Sequence, residues 1–412
     1  MARTKLTKSE ISWILYDVGN SALVLLATSV IPIYFTSLVK ADPDGGSALV
    51  AWSYAETIAS LIVALLMPVL GSIADGKGMR KKFIIGTVGT GAVATIAMGF
   101  PATAMAFLVV YVISSVMLNS SFVFYDALLV DATTDERMDE VSSMGYALGY
   151  VGSCIPFIVC LLIVLNAENL GLTMKTAMLI AFVITAVWWV VFTVPMLKNV
   201  EQKNYKEHTT SLVESFKGIF KTLGDIWHDK TLRWFILAYF FYIDGVHTVI
   251  KLSTSYGSDL GIDSTQLLLA LLVTQFVAFP SAIIYGKLGT KYGTKRMLLV
   301  GIIGYLCITL FAAFFLKSAA EFWMLAIAVG LFQGGIQALS RSEFGKLCPK
   351  EHANEYFGFF DIFGKYAAIL GTFLVGTFTA ITGSGGLGVL SIAVLFVVGF
   401  FFMLKVPERS QG

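Results

Sequence analysis

Apolar residues occur along this chain in long blocks, separated by short polar breaks, and most blocks reach the roughly 20 residues that a helix needs to cross a bilayer. The blocks fall near 11–38, 49–75, 83–100, 104–131, 141–165 and 173–197, then near 231–256, 263–289, 297–316, 322–346, 355–381 and 387–405. A run such as 180–195 shows none of the strict alternation that a barrel strand requires, so the blocks are predicted to be helices. Inside lipid every backbone amide must find a partner within its own segment, which leads to the same conclusion. The pattern therefore predicts an all-α polytopic membrane protein of twelve spans, in two pseudo-symmetric six-helix bundles. Their expected bounds are 1–197 and 231–412, joined by a polar linker, 198–230. Within the linker Leu212, Phe216, Phe220, Leu223 and Trp227 recur at helical spacing between Lys217, Lys221 and Asp225, which predicts an amphipathic helix on a membrane face.

Composition supports a membrane protein. The chain is 57% hydrophobic and only 14% charged, against about a quarter charged in ordinary soluble domains. A net charge of +2 is spread between spans and forms no patch for nucleic acid. Lys77, Arg80, Lys81, Lys82, Lys291, Lys295, Arg296 and Lys350 lie in alternate breaks, while the opposite breaks offer Lys40, Lys175 and Lys317. That asymmetry predicts both termini in the cytoplasm, and for a prokaryotic chain the inner membrane. Cys154, Cys160, Cys307 and Cys348 have no metal-ligand spacing, so neither metal nor cofactor is expected.

The two halves repeat one another. Gly71, Asp75, Gly78, Arg80 and Lys81 follow the second span, and Gly286, Thr290, Gly293, Lys295 and Arg296 follow the eighth at the same spacing. Tyr16 and Asp17 in the first span correspond to Tyr242 and Asp244 in the seventh, and Asp126-Ala-Leu in the fourth corresponds to Gln337-Ala-Leu in the tenth. An internal repeat of this kind places a substrate site near mid-membrane.

The spacing G-x-x-x-D-x-x-G-x-[RK]-[RK] resembles the signature loop of the major facilitator superfamily. Ser12-Trp13-Ile-Leu-Tyr16-Asp17, Tyr242-Ile-Asp244-Gly245-Val-His247-Thr248, Tyr146-Ala-Leu-Gly149-Tyr150 and Gly334-Gly335-Ile-Gln337-Ala-Leu-Ser340-Arg341-Ser342 resemble the autophagy-related vacuolar effluxer family. Val18-Gly19, Asp126, Ile243 and His247 depart from that family's common pattern. The resemblance implies the major facilitator fold and, from the fungal members, efflux of amino acids.

An ionisable group within a span costs several kcal/mol unless it faces a cavity or a partner, so each is a functional candidate. Asp244, His247 and Lys251 fall at i, i+3 and i+7 of the seventh span, and Lys251 is suited to an anionic group. Gln333 and Gln337 place two amides on one face of the tenth. With Asn20, Tyr16, Tyr146 and Tyr242 these are the candidate substrate contacts. Asp17, Asp126 and Asp244 are the candidate proton carriers, and Asp75, Arg80, Lys81, Arg341, Lys295 and Arg296 the candidate gate. Asp361 and Lys365, four apart, are expected to satisfy each other.

These features predict a monomeric secondary transporter that moves a small polar or amphipathic solute by alternating access, with protons as the coupling partner. An amino acid or related carboxylate is the favoured solute. The alternatives are a receptor or scaffold without flux, or a membrane enzyme. The sequence contains no H-E-x-x-H, G-x-S-x-G or phosphate-binding G-x-x-x-x-G-K-[ST] motif.

Overall fold

A computed structural model describes residues 5–40, 47–101, 103–207 and 212–407. These residues are almost entirely helical. The order is α1 (Lys8–Lys40), α2 (Ala48–Ala74), α3 (Met79–Ala97), α4 (Ala104–Ala127), the single turn α5 (Leu129–Ala132), α6 (Met138–Leu165) and α7 (Met174–Asn199). Then follow α8 (Leu212–His228), α9 (Lys230–Asp259), α10 (Ser264–Tyr292), α11 (Thr294–Phe315), α12 (Ala319–Leu347), α13 (Ala353–Thr382), α14 (Gly385–Ser391) and α15 (Ala393–Lys405). Among the described residues eleven helical segments are long and apolar enough to cross a membrane. The remaining predicted span is α3, which is 19 residues long and carries Arg80, Lys81 and Lys82 in its first turn.

Local chemistry sets the helix ends. Ser47, Thr103, Thr173, Asp229, Asp263 and Ser384 each precede a helix and accept a hydrogen bond from a backbone N–H of its first turn. Such caps satisfy donors that have no partner inside the helix. Pro32, Pro68, Pro156, Pro195 and Pro280 lie inside helices, a placement that membrane spans tolerate when neighbours satisfy the freed carbonyls.

The chain divides into two compact units. The first holds residues 1–133, 148–216 and 350–358, and the second 134–147, 217–349 and 359–412. In the first unit α1 packs on α7, and α4 takes both α2 and α3. Its core is aromatic: Trp13 stacks on Tyr125 at 4.4 Å between ring centroids, and Trp189 is fully buried. Gly91 makes room for the Trp189 ring, because a Cβ there would lie 2.7 Å from the indole. In the second unit α10 packs on α12 and α9 on α15. Phe360 stacks on Tyr239 at 4.1 Å and on Phe344 at 4.6 Å.

The linker helix forms as α8, but its packing inverts that of an ordinary soluble helix. Phe216, Phe220, Leu223 and Trp227 are exposed, while Ser215, Thr222 and Ile226 are buried. The preceding residues 201–207 are not a free tether, since they hydrogen-bond to the loop after α2.

Candidate functional site

The loop after α2 is built around one buried arginine. Arg80 and Asp75 are both fully buried, and Arg80 Nη2 lies 3.1 Å from Asp75 Oδ1. Arg80 Nη1 pairs with Asp131, in the turn α5. Gly78 makes the tight turn possible with φ of +70°, a conformation open to glycine at little cost. Asp131 Oδ1 also receives the backbone N–H groups of Lys203 and Asn204 and the Asn204 amide, at 2.9 to 3.0 Å. The carboxylates thus bracket a guanidinium, and the linker's first residues close over them.

Asp75 holds the start of α13 as well. Its Oδ1 accepts from the Asn354 N–H at 2.9 Å and from the Asn354 side-chain amide at 2.8 Å, and its Oδ2 accepts from the Glu355 N–H at 3.1 Å. A carboxylate at a helix N-terminus satisfies unpartnered donors and meets the positive end of the helix dipole. Gly71, one turn earlier on α2, lets the backbones touch, since a Cβ there would lie 2.5 Å from the Asn354 carbonyl oxygen. Lys206 completes the contact, donating its N–H to the Asp75 carbonyl at 2.8 Å and pairing with Glu355 at 2.9 Å. Burial pushes the Asp75 carboxyl up from the usual carboxylate range, and Arg80, the Asn354 donors and Lys206 draw it back down. Lys81 is half-buried beside this network and takes no part in it.

The repeated loop does not copy these bonds. In the second unit the start of α6 supplies the carboxylate. Asp139 accepts from Thr294 at 2.8 Å, from Ser342 at 2.5 Å and from Lys346 at 2.6 Å. Gly286 again gives the close approach, its would-be Cβ lying 2.6 Å from Ser143 Cβ. The acid has moved from the loop to the helix that docks on it, which is why Thr290 stands at the position equivalent to Asp75. Arg341 is buried, bonds Ser142 through Nε at 2.9 Å, and lies 4.3 Å from the Tyr146 ring centroid. Lys295 caps α15 by donating to the Leu404 and Val406 carbonyls at 3.0 and 2.6 Å, and Arg296 is exposed.

Among the span residues, the first unit gathers Tyr16, Asp17, Asn20 and Asp126. Tyr16 donates to Ser121 at 2.6 Å and accepts from the Trp189 indole at 3.4 Å, with Asp17 and Asp126 both within electrostatic reach of its hydroxyl. Asn20 donates to Asp17 at 3.4 Å. Asp17 and Asn20 are buried and Asp126 is half-buried.

The second unit repeats the tyrosine contact, Tyr242 bonding Ser340 at 2.6 Å. This matches Ser121 to Ser340. The sequence had matched Asp126 to Gln337, which lie on opposite sides of those serines. Asp244 and His247 both meet α13. Asp244 Oδ1 accepts from Thr248 at 3.2 Å and from the Gly371 N–H at 2.9 Å, while its Oδ2 is buried without a hydrogen-bond partner. His247 Nδ1 lies 3.3 Å from the Gly364 carbonyl oxygen. Lys251 is exposed and makes no ion pair with Asp244, although it lies within electrostatic reach of that carboxyl, so the expected stripe interacts at a distance rather than by contact. Gln333 is buried and lines a largely apolar cavity of about 90 Å³ with Thr248, Thr309 and Phe322, and Gln337 is half-buried one turn away. The side chain of Lys365, the expected partner of Asp361, lies outside the described residues.

Asp131, Asn354, Glu355, Lys206 and Asp139 were missed by sequence reasoning. Asp131 had one signal, as a carboxylate at the very end of the fourth apolar block that could face Arg80.

A family profile described as "Vacuole effluxer Atg22 like" matches residues 50–411. The MFS-type transporter YxiO of Bacillus subtilis is 44% identical over 99% of this chain and 96% of its own length. Autophagy-related protein 22 of Cryptococcus neoformans is 26% identical over 66% of this chain, and the match spans 53% of the fungal protein. In solved structures, the human organic anion transporter MFSD10 superposes with a TM-score of 0.75 at 13% identity, covering 96% of this chain and 98% of its own.

Proposed function

This chain belongs to the Atg22-like vacuole effluxer family, a multi-pass membrane transporter of the major facilitator type, and we propose that it moves an amino acid or related small carboxylate by proton-coupled alternating access. The observation that carries the coupling is Asp244. Its one oxygen is held by Thr248 and Gly371, and the other is buried with no hydrogen-bond partner. Lys251 lies within electrostatic reach of Asp244 but makes no ion pair with it, and a buried charge without a paired cation is costly in a membrane. A proton on the unpartnered oxygen removes that charge and disturbs neither existing bond. Asp17 and Asp126, grouped around Tyr16, are the corresponding carboxyls of the first unit.

The substrate contacts in this reading are the amides and hydroxyls of Asn20, Gln333, Gln337, Tyr16, Tyr146 and Tyr242, together with Asp244 and His247. Lys251, which is exposed, meets the solute carboxylate at an entrance. The loop after α2 and its mirror after α10 act as the gate, because each holds the start of a helix from the other half of the sequence. The loop's cations support a cytoplasmic position for it and for both termini; in this reading the protein works as a monomer, in the inner membrane if the cell is prokaryotic.

The test is a pair of flux measurements in proteoliposomes. Asp244→Asn should abolish uptake driven by a pH gradient yet retain exchange of solute across the membrane, since exchange needs no net proton movement. Normal gradient-driven uptake by this variant removes Asp244 from the coupling. Absence of both activities in well-folded wild-type protein removes the transport of this solute class.

A further inference from the structure

The corner where α8 meets α9 carries two cations on one indole. The Arg233 guanidinium lies 5.2 Å from the Trp234 ring centroid and 6.0 Å from that of Trp227, and its Nη1 donates to the Trp227 carbonyl at 3.3 Å. Lys405, the last residue of α15, lies 4.6 Å from the Trp234 centroid and 5.7 Å from that of Phe402. Phe402 stacks against Trp234 at 5.7 Å. Among the described residues neither cation has a carboxylate within salt-bridge distance. The adjacent Asp229 is committed elsewhere, accepting from the Thr231 and Leu232 N–H groups as the cap of α9.

Arg233 also sits in the first turn of its helix, where the dipole favours an anion and disfavours a cation. Lys295 occupies the end carbonyls of α15, so Lys405 is left to reach outward. Two positive charges share this ring, and among the described residues neither has a carboxylate partner.

The surroundings identify the class of anion. The site lies at the ends of two membrane-spanning helices, and Trp, Arg and Lys at such ends mark the headgroup level. Alongside it α8 exposes Phe220, Leu223 and Trp227 on one stripe, with Lys217 and Lys221 exposed beside them. A helix of this kind lies in the interface with its apolar stripe in the acyl boundary. An anion that comes with an acyl chain fits both the cations and the stripe.

We propose that Arg233 and Lys405, which both lie over the Trp234 ring, bind the phosphate of an anionic phospholipid whose acyl chain runs beside α8. The proposal is independent of the transported solute and of Asp244. The test compares the wild type with the Arg233→Gln, Lys405→Gln double variant, each purified in detergent, loaded with phosphatidylglycerol and examined by native mass spectrometry. Monodispersity is checked first, and Arg233→Lys with Lys405→Arg serves as the charge-retaining control. The wild type and the control should keep phosphatidylglycerol, and the double variant should lose it, by roughly fivefold for each cation removed. Equal retention by the double variant overturns the proposal. Inorganic phosphate at matched concentration should neither displace the lipid nor raise the melting temperature. If it does both, the site belongs to a free anion and the lipid assignment fails. Equal retention of phosphatidylcholine and phosphatidylglycerol by the wild type also overturns it, since the cations would then select nothing.

Discussion

Asp75 and Asn354 are joined twice, by the Asn354 backbone N–H at 2.9 Å and by its side-chain amide at 2.8 Å, both to one carboxylate oxygen. The bonds link the loop after α2 to the first turn of α13, and Arg80 fixes the carboxylate that makes them. Breaking a buried charge contact by removing one partner costs about 3–5 kcal/mol. Here Arg80 retains Asp131, so the loss should fall on the docking of α13 more than on the fold.

Asp75→Asn should therefore undock the start of α13 while the spans stay folded. A cysteine at Ala353, buried in the first turn, should react with a membrane-permeant maleimide at least tenfold faster in the Asp75→Asn background, a shift of about 1.4 kcal/mol or more. Solute flux should fall in the same variant. Unchanged labelling would show that the other contacts hold the helix alone.

Two glycines of this loop predict different outcomes. At Gly71 a methyl group would meet the Asn354 carbonyl oxygen at 2.5 Å, a backbone atom that cannot swing away. At Gly78 there is open space, and the cost is the left-handed backbone, about 1–2 kcal/mol. Gly71→Ala should raise labelling at position 353 strongly and lower flux about tenfold or more, while Gly78→Ala should chiefly lower the melting temperature. The reverse order would mean that backbone strain, not close approach, sets the position of α13.

How much of this was legible in the sequence follows from range. The spans could be read because each carries its own apolar length, and the loop because its glycines and cations are consecutive. Tyr16, Asp17, Asn20 and Asp126 were each conspicuous as polar groups in apolar runs, and they do lie together. Asn354 and Glu355 carried no local signal. They matter because a helix N-terminus lands on a carboxylate 279 positions away, and nothing local encodes that. Lys251 shows the limit of spacing. Helical spacing put it on the stripe of Asp244, and it lies within electrostatic reach of that carboxyl, but α13 meets Asp244 and His247 and leaves Lys251 exposed.

The paired tyrosines test whether the repeat extends to energetics. Tyr242→Phe removes one hydroxyl, and Ser340 keeps its bond to the Ile336 carbonyl at 2.6 Å. The loss should be about 1 kcal/mol. Tyr16→Phe also strips the Trp189 indole of its acceptor, so a buried donor is left unsatisfied and the cost should reach about 1–3 kcal/mol. Denaturation midpoints of the two variants check this, and equal losses would mean that the Trp189 bond contributes nothing.

Asp244 and Lys251 decide between a coupling role and a purely structural ion pair. If the two residues held the fold together as a pair, each neutral single variant would destabilise the protein and the double variant would recover it, because no lone charge would remain buried. The geometry forecasts otherwise. Lys251 is exposed and makes no ion pair with Asp244, so Lys251→Gln should change the melting temperature by little, within the about 0.5 kcal/mol typical of surface sites. Asp244→Asn keeps an oxygen to accept from Thr248 and Gly371, so it should fold. Gly371→Ala should lower the yield, since its Cβ would lie 2.1 Å from Thr248 Oγ1 and 2.6 Å from Asp244 Oδ1, and Asp244 cannot retreat without losing the bond from the Gly371 N–H. Detergent-stable yield of the three single variants and of the Asp244→Asn, Lys251→Gln double variant measures all of this at once. Recovery of yield in the double variant, from two damaged singles, would make the pair structural and leave the proton with Asp17 or Asp126. Well-folded singles that differ in function, with Asp244→Asn losing pH-driven uptake and Lys251→Gln raising the KM for an anionic solute, would separate the coupling carboxyl from the entrance cation.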